Sequence, residues 1–324
     1  MIQIEKLKEV INHYYPIVVT DITSMEPGWA ALAYKVYADD GKMFFLKVYD
    51  KNRSSIASIL DRVPVYLFFI GWLNSDAFLE GKISKLVNTK DDHIKVEDEN
   101  YLYIIMEYIE GYTVGERNLT QEQIKELAEI IGRLHTIVPP KSPYMESITE
   151  RFEYSWLNTF RFSLTTQFRL LNQDIQNIVE PYLVSLIDQI EELEHQGEPL
   201  SKSEFSFVFC HTDIHNWNII ANESNIYLID WEGIKYAPAE ADLFGLYNES
   251  YFSEFLKYYQ KIHPSYQMNM ELLRYYMISR HMTDLWEGIE QLQFDTLSSD
   301  EYNQQLEGLK DVCEENAAFI NSVQ

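Results

Sequence analysis

Phe207-Val-Phe-Cys-His211-Thr-Asp213-Ile-His215-Asn-Trp-Asn218-Ile-Ile220 leaves an apolar strand, gathers titratable and amide side chains, and returns to apolar residues. The flanks predict strands over Phe205–Cys210 and Ile219–Ala221. A third, Ile226-Tyr-Leu-Ile-Asp230, follows the turn-forming residues Asn222 to Asn225. His211 to Asn218 then form a loop held at both ends, and Asp230 emerges on a strand end beside it. Polar loops on rigid scaffolds are where catalytic residues concentrate. Asp213, Asn218 and Asp230 bring three oxygen-bearing side chains to one point, a donor set suited to Mg2+. Phosphoryl transfer from a nucleotide needs a carboxylate to orient or deprotonate the attacking hydroxyl, and an Asn and an Asp to hold the metal on the phosphates. The order H-x-D-x-x-x-x-N followed by a strand ending in Asp meets that need. The plainer alternative is a polar turn, since turns use Asp and Asn too.

Two other chemistries lack their parts. Zinc at Cys210, His211 and His215 would need ligands projecting together, and His211-Thr-Asp-Ile-His215 has neither the helix nor the Glu of H-E-x-x-H. Acyl-transfer hydrolysis lacks its G-x-S-x-G elbow anywhere in the chain.

The 324 residues exceed what one core usually supports, so two lobes with a cleft between them are expected. Apolar residues at 46% and aromatics at 14%, with 23 Tyr, specify a packed globular chain. The formal charge of -25 argues against nucleic acid, whose phosphates are held by basic patches, and suits a cationic ligand or simple solubility. Two cysteines, Cys210 and Cys313, give no disulfide framework. The first residues read as an amphipathic helix without the apolar region of a signal peptide, and the apolar run Val63 to Leu73 is short for a bilayer. A cytoplasmic protein without a membrane partner is the expectation.

Organisation changes near residue 110. Upstream, Ala31–Tyr37 and Met43–Tyr49 flank a turn at Ala38–Gly41 as a hairpin, and Lys85–Val87, Ile94–Val96 and Tyr101–Met106 read as further strands. Downstream, Thr120 and Gln123 form a capping-box pattern ahead of a helix that Pro139 and Pro140 stop, and residues 151–195, 271–293 and 299–320 carry helical periodicity. A small β-rich lobe over 1–108 and a larger helical lobe over 109–324 follow.

Cys210-His-Thr-Asp-Ile-His-Asn-Trp-Asn218, Tyr227-Leu-Ile-Asp-Trp-Glu232 and Pro238-Ala-Glu-Ala-Asp242-Leu together resemble the catalytic segment of the aminoglycoside phosphotransferase and choline kinase-like superfamily. Lys47 on its strand, Ile104-Ile-Met-Glu-Tyr-Ile-Glu-Gly111 and the helix ending Leu134-His135 extend the likeness upstream, and the order of elements is most similar to spectinomycin phosphotransferases. The resemblance implies an α+β, two-lobed protein-kinase-like fold and an ATP- or GTP-dependent kinase acting on the hydroxyl of a small, cationic molecule. An aminoglycoside or aminocyclitol antibiotic comes first, and choline, a sugar or homoserine second. A nucleotide-binding pseudokinase is the reading from another class, and the intact Asp213, Asn218 and Asp230 set speaks against it.

By the same resemblance Asp213 is the base or orienter, Asn218 and Asp230 hold Mg2+, Lys47 meets phosphates, and Met106, Glu107, Tyr108 and Ile109 offer backbone groups to adenine. A lysine inside an apolar strand also calls independently for an anion in a cleft, because an unpaired buried ammonium is costly. His211 is expected to be structural, and Asp242 to steady the loop or cap a helix. Three features depart from kinases. The candidate phosphate loop Ser24–Trp29 has one glycine, Asp230-Trp-Glu232 replaces D-F-G, and no Glu lies between residues 48 and 79 to pair with Lys47, leaving Asp61, with Asp50 behind it, as the substitute. Finally, Arg280-His-Met-Thr-Asp284-Leu-Trp-Glu287 is a candidate acceptor wall. Asp284 and Glu287 would hold an ammonium group with Trp286 as apolar face, unless the acids merely pair along the helix with Arg280 and His281.

Overall fold

The computed structural model describes residues 2–25, 28–223 and 225–322. The chain opens with helix α1 (Ile4–Tyr14), then strands β1 (Val19–Ser24), β2 (Leu32–Ala38) and β3 (Met43–Asp50), helix α2 (Ala57–Leu73), and strands β4 (Val96–Glu97) and β5 (Tyr101–Glu107). These strands form one antiparallel sheet in the order β1-β2-β3-β5-β4. The expected hairpin is β2–β3, turned at Gly41 with φ of 81°, a backbone that glycine adopts without steric penalty. Lys85–Val87 pairs too briefly to be a strand: Leu86 bridges Met106, and only Val96 of the Ile94–Val96 stretch joins β4.

Period-two alternation sorts β3 between two faces. Phe44, Leu46 and Val48 pack under α1 with Val36, Tyr103 and Ile105, whereas Phe45, Lys47 and Tyr49 face α2 and the cleft. That alternation aims Lys47 inward. The apolar run 63–73 is the body of α2, and its Val63, Tyr66, Leu67, Phe69, Ile70 and Leu73 are buried against the sheet. With the preceding turn, Ser54–Leu73 is long and apolar enough to cross a membrane by length and composition, but it serves here as a core helix.

A short strand β6 (Tyr112–Thr113) leads to helix α3 (Gln121–Leu134), which begins with the expected capping box between Thr120 and Gln123. Helices α4 (Met145–Ile148), α5 (Trp156–Thr165), α6 (Gln173–Val179) and α7 (Leu183–Ser201) follow, with Pro181 in the tight turn between the last two. Then come β7 (Phe207–Cys210), β8 (Ile219–Ala221), β9 (Ile226–Leu228), β10 (Lys235–Pro238) and helices α8 (Glu240–Leu243), α9 (Phe252–Ile262), α10 (Met270–Phe294) and α11 (Ser299–Ser322). β7 pairs with β10, while β8 lies between β6 and β9. The polar loop 211–218 therefore spans two small sheets. One apolar core joins α2 and the inner sheet face to α3, α9 and these strands, and a second fills the helical layer of α5, α7 and α10. The result is the α+β, two-lobed protein-kinase-like fold.

Candidate active site

The polar loop is shaped by strained backbone and by side chains that reach it from several elements. Thr212 and Asp230 both hold left-handed conformations, with φ of 69° and 68°. Non-glycine residues persist there, at roughly 1–3 kcal/mol each, only when surroundings impose it. For Thr212 the surroundings are explicit. Its N–H donates to Asp242 Oδ1 at 2.6 Å and its hydroxyl to the Gly233 carbonyl at 2.8 Å. Asp242, fully buried, accepts on Oδ2 from His135 at 2.9 Å, whose other nitrogen receives the Tyr259 hydroxyl at 2.7 Å. Asp242 thus steadies the loop and sits inside α8, not at a helix cap. His211 is also structural: Nε2 donates to the Ile229 carbonyl at 2.8 Å, Nδ1 accepts the Asp213 N–H at 3.3 Å, and the ring packs on Trp231 at 4.5 Å.

Asp213 stands at the centre. Asn218 donates its side-chain amide to Asp213 Oδ2 and to the Asp213 carbonyl, each at 2.9 Å. With the amide nitrogen committed, the side-chain oxygen is what Asn218 has for a cation. The Ile229 N–H donates to the Asn218 carbonyl at 3.1 Å, which brings Asp230, the next residue, beside the loop.

Lys47 Nζ lies 2.7 Å from Asp230 Oδ1 and 2.7 Å from Glu232 Oε1, with 13% of its side chain exposed. Burial alone would discharge the ammonium, but the two carboxylates outweigh it and hold its pKa above the usual lysine value. Glu232 is raised by burial, against the pull of Lys47, and its carboxylate accepts from the Tyr49 hydroxyl. Tyr49 in turn meets the Tyr66 hydroxyl of α2 at 3.0 Å. The expectation for Asp61 fails here. It lies exposed on α2, five positions before the inward-facing Tyr66, and a helix turns such positions to different faces. Asp50 accepts from the Asn52 N–H at the strand end and does not substitute. The acid that partners Lys47 beside Asp230 is Glu232, whose only sequence signal was its place in Asp230-Trp-Glu232.

Between the lobes, a cavity of about 190 Å³ is lined by Lys47, Met106, Glu107, Tyr108, Ile109, Asp230 and Glu232, with apolar walls from Phe45, Ile70, Ile220 and Trp231. All four expected hinge residues face it. The Glu107 and Tyr108 N–H groups already donate to Lys85 and Met43 carbonyls at 2.8 and 3.3 Å, which makes Ile109, beyond the strand, the expected donor to a base. Of the candidate phosphate loop, Glu26 and Pro27 lie outside the described residues.

On the far side of Asp213, α10 presents Arg280, Asp284 and Glu287 along one face. Arg280 Nη1 reaches Asp213 Oδ1 at 2.8 Å while its Nε donates to Asp284 at 3.0 Å. Burial would raise Asp213, but the charge of Arg280 and the hydrogen bond from His215 outweigh it and hold the carboxyl well below the usual range. Burial pushes Glu287 up to about 7, Arg280 opposing and Asp284 and Asp213 adding to it. Trp286 does not join this face. It is 6% exposed and packs on Phe160 at 5.4 Å in the helical core, because its place on the helix falls with Met282 and Ile289. Arg280 itself, singled out in the sequence only as an intrahelical partner, is the residue whose reach to Asp213 no local spacing could give.

A model of the phosphotransferase enzyme family matches residues 21–267, and the chain belongs to that family. Its class is that of an ATP-dependent small-molecule phosphotransferase. Comparison with curated protein sequences gives no match. Among solved structures, the fold is similar to a spectinomycin phosphotransferase in complex with ADP and spectinomycin, at 19% identity and a TM-score of 0.74 over 97% of both chains. An amicoumacin kinase bound to a nucleotide analogue and Ca2+ aligns at 17% identity and 0.58, covering 96% of this chain and 93% of that one. An ADP-bound aminoglycoside phosphotransferase aligns at 14% and 0.54, covering 96% and 98%.

Proposed function

We propose that the protein transfers the γ-phosphoryl group of ATP to a hydroxyl of a cationic aminocyclitol or aminoglycoside, with a spectinomycin-like acceptor first in order. The observation that carries this reading is the Lys47–Asp230 pair lining the interlobe cavity, with the Asp213–Asn218 pair tied beside it through the Ile229 N–H and Asn218 carbonyl, and the carboxylates of Asp284 and Glu287 beyond Asp213. A hydroxyl placed against Asp213 gains a carboxylate that aligns it and takes its proton as the new P–O bond forms and the bond to ADP breaks. Lys47 neutralises phosphate oxygens once they compete for its ammonium. The Asn218 amide oxygen and the Asp230 carboxylate are hard donors of the kind Mg2+ takes; the ion would supply charge neutralisation across the phosphates. A coupled assay of ADP release with spectinomycin, aminoglycosides, choline and sugars tests the proposal. Stimulation by the first two groups is expected, and stimulation by a neutral sugar alone would replace the acceptor class.

A further inference from the structure

Both oxygens of Asp213 already hold donors: Oδ2 the Asn218 amide at 2.9 Å, and Oδ1 the Arg280 guanidinium at 2.8 Å with His215 Nε2 at 3.4 Å. A hydroxyl that approaches Oδ1 from the α10 side meets the Arg280 guanidinium already seated there. Asn218 and His215 belong to the loop itself and are locked there, Asn218 through the Asp213 carbonyl and His215 by the Trp217 N–H at 3.2 Å. Arg280 comes from α10 on a long flexible stem, with 40% of its side chain exposed. It is the donor that can leave.

We infer that Arg280 is a built-in competitor of the acceptor: its guanidinium occupies the two donor positions, one on Asp213 and one on Asp284, that the acceptor must take over. This rests on the phosphotransferase reading above. An Arg–Asp pair four apart on one helix is ordinary and of small worth. The contact that exceeds this is the second one, across elements to the residue that must receive the substrate. An acceptor bringing only a hydroxyl would leave Asp284 and the half-buried rim around Glu287 without their cation, and stranding such charges is costly. An acceptor that also carries an ammonium replaces both contacts. The two guanidinium nitrogens share one carbon, so hydroxyl and ammonium must sit close together, as on neighbouring carbons of a vicinal amino alcohol. The arrangement also guards the nucleotide. With no acceptor present, the guanidinium holds the carboxylate that would otherwise align water for attack on ATP.

The test measures ADP release from ATP and Mg2+ by the full-length protein without acceptor, for wild type, Arg280→Ala and Arg280→Lys. Arg280→Ala should hydrolyse ATP severalfold faster than wild type, and added guanidinium chloride should restore the suppression. Arg280→Lys, whose compact ammonium lacks the planar fork that spans Asp213 and Asp284, should fall between, and it carries the test if the alanine variant folds poorly. In wild type, streptamine should stimulate ADP release and scyllo-inositol, its counterpart with hydroxyls for amines, should not. Hydrolysis by both variants at or below the wild-type rate, with ATP still raising their melting temperature, would overturn the inference by making Arg280 a support of Asp213. A protein that neither binds ATP nor releases ADP with any acceptor would remove the phosphotransferase reading, and this inference with it.

Discussion

Asn218 donates its side-chain amide to Oδ2 of Asp213 at 2.9 Å and a second hydrogen bond to the same residue's carbonyl. The carboxylate is therefore held in position by the loop before any substrate arrives. Asp213→Ala should lower kcat by about 10² to 10⁴, the range for a positioned acid or base, while ATP binding measured by calorimetry stays near wild type. A variant with half the wild-type turnover would remove the role.

Asp230→Asn takes a negative charge from the proposed cation site and from Lys47 together. The Mg2+ concentration for half-maximal activity should rise steeply, and ATP affinity in Mg2+ should fall. Superimposable Mg2+ titrations for the two proteins would exclude Asp230 as a ligand.

Lys47 supplies a contrast between two acids. Glu232→Gln removes one of its two partners and should raise KM for ATP, because the remaining pair with Asp230 then competes with phosphate and metal. Asp61→Asn, on the exposed side of α2, should leave KM for ATP unchanged. Equal effects from both variants would place the ion pair elsewhere.

Glu287 carries a pH signature. Its carboxyl is raised by burial to about 7 in the folded protein, so the folded state binds its proton more tightly than the unfolded chain between the ordinary and the raised value. The charge it must carry above that window costs stability, and the cost vanishes once pH drops below the unfolded value. Glu287→Gln should therefore melt higher than wild type near pH ~8 and show no advantage near pH ~4. On the acceptor side, KM for a cationic acceptor should fall as pH rises through about 7 in wild type and lose that dependence in the variant. A flat difference in melting temperature across pH would deny Glu287 its raised pKa.

Gly245 tests the scaffold under the loop. A Cβ there would stand 2.3 Å from the Ile214 carbonyl oxygen, backbone that cannot swing aside. Gly245→Ala should lower kcat more than ATP affinity, since Ile214 follows Asp213 directly whereas the nucleotide cavity is built mainly from other elements. Unchanged kcat would mean the loop tolerates the shift.

The candidate catalytic stretch was legible because its pattern is local: Asp213, Asn218 and Asp230 are spaced by one loop and one hairpin, and apolar strands mark both. The hinge could be read for the same reason, as one strand running into Glu107 to Ile109. The cost of an unpaired buried ammonium pointed Lys47 to the cleft, but its partner Glu232 carried no such signal. Tyr66 fills the face of α2 toward the cleft, and Glu232 arrives from far along the chain. Trp286 could have been placed better, since Met282, Trp286 and Ile289 share a helix face that Arg280, Asp284 and Glu287 do not. The contact of Arg280 with Asp213 had no sequence signal, because the packing of α10 against the loop decides it.

The chain of hydrogen bonds from Tyr259 through His135 and Asp242 to Thr212 runs from α9 across α3 to the strained residue before Asp213. The strain at Thr212 is held in part by the docking of those two helices, whereas no residue lining the interlobe cavity comes from α3 or α9. Mild heating that loosens α9 should therefore release Thr212 to an ordinary backbone conformation and silence phosphoryl transfer while the protein still retains nucleotide, so that inactivation precedes global melting.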